Sequence, residues 1–415
     1  MSDGAQRLVS FGGLVLMIAL ALAMSENRRK VSVRLVVAGL LLQFGFALLV
    51  LRTTPGFLFF EGARTVFDFM LGASNTGASF VFGKLTTDSR LGAVLAFQVL
   101  PIVIFFSALA GVLYHLGITQ RVVRAMARVM RWAMNTSGAE TLACALFVFL
   151  GIEATTALIA YIRRMTRSEL FTLMTGFMAT VAGSVLGAYV SFGCDAGHLL
   201  AASVMSAPAA IVIAKIMIPE TDAPLTRGHV QFEPPKESVN LIDAAARGAG
   251  QGLVLALNIG AMLIAFIGLV ALANLLLGAA SGPAVTRGWL AEPVTLQGAF
   301  GYLFSPLAYA MGITSWSDAL AVGQLLGTRT VLNEFVAYQQ MQGLVQQGAI
   351  SPRAVTIATY ALCGFANFGS VAILIGGLGA IDPDRKGLLA SLGIRSMISG
   401  MLACFMTACF AGMLV

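Results

Sequence analysis

The chain has 415 residues, of which 58% are hydrophobic and only 11% charged, with a formal net charge of +7. A soluble domain carries about 25% charged residues, so the composition excludes a water-soluble globular protein and predicts an all-α polytopic membrane protein. The positive excess belongs to cytoplasmic loops, and no basic run is interleaved with aromatics, which excludes nucleic acid as a partner. Cys144, Cys194, Cys363, Cys404 and Cys409 all lie in apolar stretches without a C-x-x-C pair and read as small buried hydrophobes. His115, His198 and His229 are scattered, so neither a metal cluster nor a cofactor is expected.

A spanning helix needs about 20 apolar residues. Residues 8–24 form the first such stretch. Arg7 alone precedes it, and Arg28, Arg29 and Lys30 follow it. That order predicts a retained span with its N-terminus outside rather than a cleaved signal peptide. Residues 35–51 return outward. Residues 53–90 mix Phe57, Phe59, Phe60, Phe67 and Phe69 with Arg64 and Asp68, the pattern of an amphipathic helix on the outer surface. Residues 91–116 are a third span, kinked at Pro101. Arg121, Arg124, Arg128 and Arg131 then recur at helical spacing, giving an amphipathic helix on the inner surface.

Residues 137–162 are apolar again, but arginines flank them on both sides, with Arg163, Arg164 and Arg167 following. Both ends therefore lie on the cytoplasmic side, which predicts a re-entrant helical hairpin with its tip at Gly151 and Glu153. Ser137 and Glu140 form a capping box at its entrance. Asn135-Thr136-Ser137 matches a glycosylation sequon but faces the wrong side of the membrane. Residues 170–192 are a fourth span, broken in its small-residue middle at Gly183–Gly187. A fifth span covers 199–218. A cytoplasmic linker with Arg227, Lys236 and Arg247 covers 219–247, and a sixth span 248–277. Residues 293–347 read as a second hairpin, with an apolar half at 298–311 followed by Gly327, Arg329 and Glu334. Asp318, after Ser315 and Ser317, reads as a helix cap. Residues 354–381 are a seventh span broken around 364–369, and 388–415 an eighth.

A hairpin, a broken span and an intact span thus occur twice, with the hairpins opening on opposite sides. Inverted repeats with discontinuous helices are the signature of secondary transporters with a midplane site. Ionisable and polar groups at membrane depth are functional candidates by default. Glu334, inside Val331-Leu332-Asn333-Glu334-Phe335-Val336, can accept hydrogen bonds from substrate hydroxyls or pair structurally with Arg329. Asn367 and Ser370 share a helix face and suit a polyol such as a sugar, or else satisfy the broken helix's own backbone. Glu153, the acid at the first tip, can meet a heteroaromatic base or a proton, or simply cap a helix.

The strings GTRTVLNEFVAY (327–338), SPRAVTIATYALCGFANFGSVAILIGGLGAI (351–381) and MTRSELFTLMTGFMATVAGSVLGAYVSFG (165–193) resemble the concentrative nucleoside transporter family. The likeness covers almost all of the chain after about Phe57. It implies a homotrimer in the cell (inner) membrane that imports nucleosides by an elevator motion. Each protomer would have eight transmembrane helices, two re-entrant hairpins and its own substrate site. It further implies that Glu334, Asn367 and Ser370 hold the ribose, that Phe365 lies beside the site and that Val185 packs on the base. The domains that follow are 1–134, scaffold spans one to three with both amphipathic helices, and 135–218, the first transport repeat. Residues 219–290 are the linker with scaffold span six, and 291–415 the second transport repeat.

The first hairpin departs from the family pattern N-x-x-x-G-Q-T-E-A-P. Phe147 stands for the Asn, a sodium ligand in the family, and Ile152 for the Gln. One residue is deleted so that the Thr is missing and Glu153 stands for the Glu; the Pro is absent too. Thr180, Val181 and Leu150 match positions that could still offer a hydroxyl and carbonyls. A phenyl ring cannot ligate sodium, so the sodium site of the family lacks a side-chain ligand here, and proton coupling through Glu153 or Glu334, or uncoupled transport, stands beside sodium symport. Ile152 removes hydrogen bonds to the base and weakens its discrimination. The rival readings are a transporter of the same architecture for another ribosyl compound and a non-transporting, receptor-like paralogue. No nucleophile–base pair or metal cluster suggests an enzyme.

Overall fold

The structure is a computed structural model that describes residues 3–86, 95–226 and 238–415. Arg90, Arg227, His229 and Lys236 lie outside the described residues. The chain begins with α1 (Asp3–Ala23), a short 3-10 turn Arg28–Lys30, and α2 (Val33–Arg52). Helix α3 (Thr54–Phe82) follows, then α4 (Leu95–Gln98) and α5 (Leu100–His115). Pro101 lies in the first turn of α5, where its missing N–H costs nothing, so the helix is interrupted just before it rather than kinked at it. Helix α3 buries Phe67 against Phe106, ring centroids 5.5 Å apart, and leaves Phe57, Phe69 and Phe80 exposed, the amphipathic character its sequence predicts.

Helix α6 (Ile118–Met134) exposes Arg121, Arg124 and Arg128 and buries Val123, Met130 and Met134. It ends at Asn135 in the left-handed conformation (φ 53°), which Asn tolerates better than most residues. The first hairpin then runs through α7 (Gly138–Phe147), a 3-10 return arm Ile152–Leu158, and α8 (Ile159–Ile162). The expected capping box is present: the Ser137 hydroxyl accepts from Glu140 N–H, and Glu140 accepts from Ser137 N–H. The second Glu140 oxygen lies 2.6 Å from Lys215 Nζ, a buried pair that ties the hairpin entrance to a later helix.

The fourth span is α9 (Arg167–Ala179) followed by α10 (Gly183–Ser191). The break lies at 180–182, ahead of the expected Gly183–Gly187 stretch. Gly183 opens α10 because a Cβ there would stand 3.2 Å from the Phe149 carbonyl, which accepts the Gly183 N–H across the gap. Gly187 is inside α10, where its missing side chain admits the Phe106 ring. Helix α11 (Ala196–Met217) follows, then α12 (Leu241–Thr286). At 46 residues α12 is far longer than the span read from the sequence. It extends about 69 Å at 1.5 Å per residue, more than twice a bilayer's hydrocarbon thickness.

The second hairpin differs from its expected limits. Helix α13 (Leu296–Ala310) is a separate element packed along α14 (Trp316–Val331). The hairpin arms are α14 and α15 (Glu334–Gln346), which turn over at Leu332–Asn333. Gly312 (φ 106°) allows the reversal before α14 and marks α13 as a unit of its own. Ser315, not Asp318, caps α14; the Asp318 carboxylate instead accepts from the Ser351 hydroxyl at 2.6 Å. The broken seventh span is α16 (Pro352–Leu362) and α17 (Phe368–Ile381), and α18 (Lys386–Leu414) ends the chain.

Helices α9, α11 and α18 are buried on nearly all sides, while α12 is apolar and largely exposed, with Leu257 and Ile264 uncovered. Helices α1 and α2 pack on α11 and α18, whereas α5 and α12 pack chiefly on each other. Two polar belts mark the ends of the bundle. At the arginine-rich end Glu26 pairs with Arg167 (2.7 Å) and Arg395, and Arg385 donates to the Met165 carbonyl. At the other end Ser10 donates to the Met311 carbonyl, and Arg353 to the carbonyls of Gly412 and Val415.

Candidate functional site

Three broken segments meet near the middle of the bundle, and backbone groups released by each break are used by another. The Phe149 carbonyl at the first hairpin tip accepts from Gly183 N–H at the start of α10 (3.1 Å). The Thr180 carbonyl accepts from Phe365 N–H in the α16–α17 break (3.2 Å). The buried Arg329 guanidinium donates to the Ala361 carbonyl at 2.6 Å, near the end of α16, where helix carbonyls lack partners. Arg329 also lies over the Phe405 ring at 5.3 Å.

The N-termini of α10, α15 and α17 consequently open on one cavity of ≈ 160 Å³. Asn333 caps α15, its Oδ1 accepting from Val336 N–H (3.0 Å), and Asn367 caps α17, its Oδ1 accepting from Ser370 N–H (2.8 Å). Helix N-termini carry partial positive charge and favour an anion beside them. Glu334, the first residue of α15, places its carboxyl group there. Its carboxylate is nearly buried (5% exposed), with Oε1 accepting from the Tyr189 hydroxyl at 2.9 Å and Oε2 from Asn367 Nδ2 at 3.2 Å.

All seven residues singled out from the sequence line this cavity: Ile152, Glu153, Val185, Glu334, Phe365, Asn367 and Ser370. Glu334 makes its hydrogen bonds to Tyr189 and Asn367, while the Arg329 hydrogen bond goes to Ala361. Asn367 does both things suggested for it, capping its helix with the oxygen and meeting Glu334 with the amide nitrogen. Ile152 packs toward α17, where Gly377 leaves it room: a Cβ there would stand 3.1 Å from Ile152 Cγ1.

Tyr189 and Asn333 were not read from the sequence. Tyr189 stands four residues after Val185, one turn along the same face of α10, a spacing that could have flagged it. Asn333 immediately precedes Glu334 and is the helix cap that positions it. Asn258, from α12, also lines the cavity and was missed.

Phe147 is buried (1% exposed), its ring edge-on to Phe177 at 5.6 Å, and Phe177 in turn lies 5.6 Å from Phe365. The Thr180 hydroxyl donates to the Gly176 carbonyl and the Thr180 carbonyl already accepts from Phe365 N–H. Both Thr180 oxygens keep lone pairs that could meet a cation, but the phenyl ring of Phe147 adds no oxygen to them.

The fold defines a polytopic helical membrane protein whose discontinuous helices surround a cavity. Family models described as "Na+ dependent nucleoside transporter N-terminus", "Nucleoside recognition" and "Na+ dependent nucleoside transporter C-terminus" match residues 12–85, 96–194 and 198–412. The chain is 42% identical over 414 residues to an uncharacterized transporter of Haemophilus influenzae, covering 98% of each. It is 42% identical to Solute carrier family 28 member 3 of Mus musculus, spanning 99% of this chain but 59% of that longer relative. It is 40% identical to Sodium/nucleoside cotransporter 1 of Sus scrofa, covering 99% and 65% respectively. Among solved structures, CNTnw in an inward-facing substrate-bound state superposes with a TM-score of 0.89 at 37% identity, covering 98% of this chain and 97% of that one. A CNTnw variant in an outward-facing state gives 0.90, also at 37% identity and with the same coverage. The chain belongs to the concentrative nucleoside transporter family, a family of membrane transporters and not of enzymes.

Proposed function

We propose that this protein imports nucleosides across the cell's inner membrane, with the ribose held by Glu334, Asn367 and Ser370 and the base against Val185, Ile152 and Phe365. The observation that carries the reading is the Glu334 carboxylate, held by Tyr189 and Asn367 at converging helix N-termini and facing a cavity. A carboxylate, an amide and a hydroxyl together supply the acceptors and donors that a sugar diol requires. Seven described helices are long and apolar enough to cross a membrane, and the α16–α17 pair supplies an eighth crossing. The α7–α8 and α14–α15 hairpins are the re-entrant elements.

Transport proceeds by an elevator motion in a homotrimer. The moving part is both hairpins with spans four, five, seven and eight, and the packing favours adding spans one and two to it. Helices α1 and α2 are joined to α11 and α18, in part through Glu26, Arg167 and Arg395, and travel with the hairpins. Helices α5 and α12 are the stationary part, and the exposed apolar flank of α12 meets lipid or a second copy.

Import is independent of sodium, because the Phe147–Phe177–Phe365 stack occupies the ground where an ion-binding side chain is required. The driving ion is then a proton, or transport is uncoupled. A second reading, a different ribosyl or polyol substrate, is favoured by Ile152, whose apolar side chain offers the base no hydrogen bond. Uptake of a nucleoside panel into proteoliposomes, with sodium or choline and at two pH values, tests all of this. Accumulation of a nucleoside that is indifferent to choline replacement is expected. Sodium-dependent uptake would refute the reading of Phe147, and no uptake of any nucleoside would refute the substrate.

A further inference from the structure

Helix α12 carries an unpartnered amide into the site. From Leu253 to Leu263 the helix is apolar except for Asn258. Leu253, Val254 and Leu257 are exposed on its outer flank, but Leu255, Asn258 and Met262 line the Glu334 cavity. Their spacing of three and four residues puts them on one face. A polar side chain at this depth is costly and is retained for a reason. Asn258 makes no hydrogen bond to any described residue, is solvent-accessible, and packs into no core.

The same face continues toward the arginine-rich end. A second cavity of ≈ 110 Å³ is lined by Arg247, Gln251 and Leu255, and it shares Gly151, Glu153, Ser184 and Leu255 with the first. The two cavities are therefore neighbours along α12, the second lying on the arginine-rich side of the first. The wall expected to read the base has few hydrogen-bonding groups: Ile152, Val185 and Phe365 have no polar side-chain atom, a Glu153 carboxylate accepts, and Ser184 adds a single hydroxyl. An Asn amide offers a donor and an acceptor side by side, the pattern that pairs with two adjacent atoms on the edge of a nucleobase.

The geometry points to Asn258 as the base-reading, specificity-determining residue of this site: the amide lost from the first hairpin tip is supplied instead by α12. The inference rests on the nucleoside reading above and deepens it. Because α12 is the stationary part in that reading, the hydrogen bonds form only while the site faces the arginine-rich end. Base discrimination then belongs to that end state and not to the opposite one.

The test uses the full chain in proteoliposomes, with apparent Kd from competition by adenosine, purine riboside, uridine, cytidine and methyl β-riboside. The nucleosides share the ribose and differ at the base edge, and the methyl riboside has no base. Asn258→Leu is expected to narrow the spread of Kd across the nucleosides by about fivefold or more, the worth of roughly one hydrogen bond. Methyl riboside should change less than about twofold on the same scale. Asn258→Gln keeps the amide and should preserve the order of preference. An unchanged spread in Asn258→Leu would overturn the inference while leaving nucleoside transport standing. A wild type that binds none of these compounds would overturn the substrate reading itself.

Discussion

Glu334→Gln separates a carboxylate that binds substrate from one that only holds the fold. The Asn367 amide cannot turn over, because its Oδ1 caps α17 through Ser370 N–H at 2.8 Å, so its Nδ2 must face residue 334. A glutamine there directs its oxygen to Asn367 and its Nε2 to Tyr189, whose hydroxyl can rotate to accept. The internal contacts survive in neutral form and the fold is retained. What disappears are the remaining charged lone pairs that face the cavity. A hydrogen bond to a charged group is worth about 1.5–3 kcal/mol and a neutral one about 0.5–1.5. Weakening the two bonds to a ribose diol should therefore cost about 2–3 kcal/mol, roughly 30- to 150-fold in affinity. The assay is nucleoside binding by calorimetry on purified protein beside uptake in proteoliposomes, with the thermal midpoint as the folding control. A variant that binds and transports within about threefold of wild type would refute the assignment of Glu334 to the sugar, since that is less than about 0.7 kcal/mol.

Tyr189→Phe removes the donor at Glu334 Oε1 and leaves half of a buried carboxylate unpaired, which should cost about 1–3 kcal/mol in stability and weaken nucleoside binding. Unchanged melting and binding would show that Tyr189 does not hold Glu334. Gly248→Ala would bring a Cβ to 2.5 Å from the Ser107 carbonyl oxygen and 2.9 Å from Ala108 Cα, prying α12 from α5. It should destabilise by about 1–3 kcal/mol in detergent melts, whereas Gly250→Ala meets nothing within 4 Å and should be neutral or stabilising. Burial raises the Glu26 pKa, but the hydrogen bonds and charges of Arg167 and Arg395 outweigh it, so the carboxyl is held below its ordinary value. Its stabilisation is then complete above the unfolded carboxylate's pKa and lost as pH falls through the depressed folded value. Glu26→Gln should cost about 1 kcal/mol or less near neutrality, given a partly exposed cluster. The gap to wild type in melts should close on acidification below about pH 4.

Much of this protein was legible along the chain. Hydrophobic runs depend only on local composition, so the apolar helices and the Ser137–Glu140 box could be read directly. Glu334, Asn367 and Ser370 were conspicuous because polar groups in apolar segments are few. Element limits were less legible. The fourth span breaks at 180–182 because Gly183 must approach the Phe149 carbonyl, and α13 is separate from the second hairpin because the chain reverses at Gly312. Neither constraint is local.

By itself, the sequence determined a polytopic helical membrane protein of the nucleoside transporter family, and the polar groups set inside its apolar segments. These follow from the cost of placing charge and free backbone in lipid, which acts residue by residue. Only the tertiary structure decided what each group touches. It gave Glu334 to Tyr189 and Asn367 rather than to Arg329, joined α1 and α2 to α11 and α18, and turned Asn258 of α12 into the cavity. The physical reason is distance along the chain: Tyr189 and Glu334 are 145 residues apart. Their contact exists only because broken helices from both halves use one another's unpaired backbone groups.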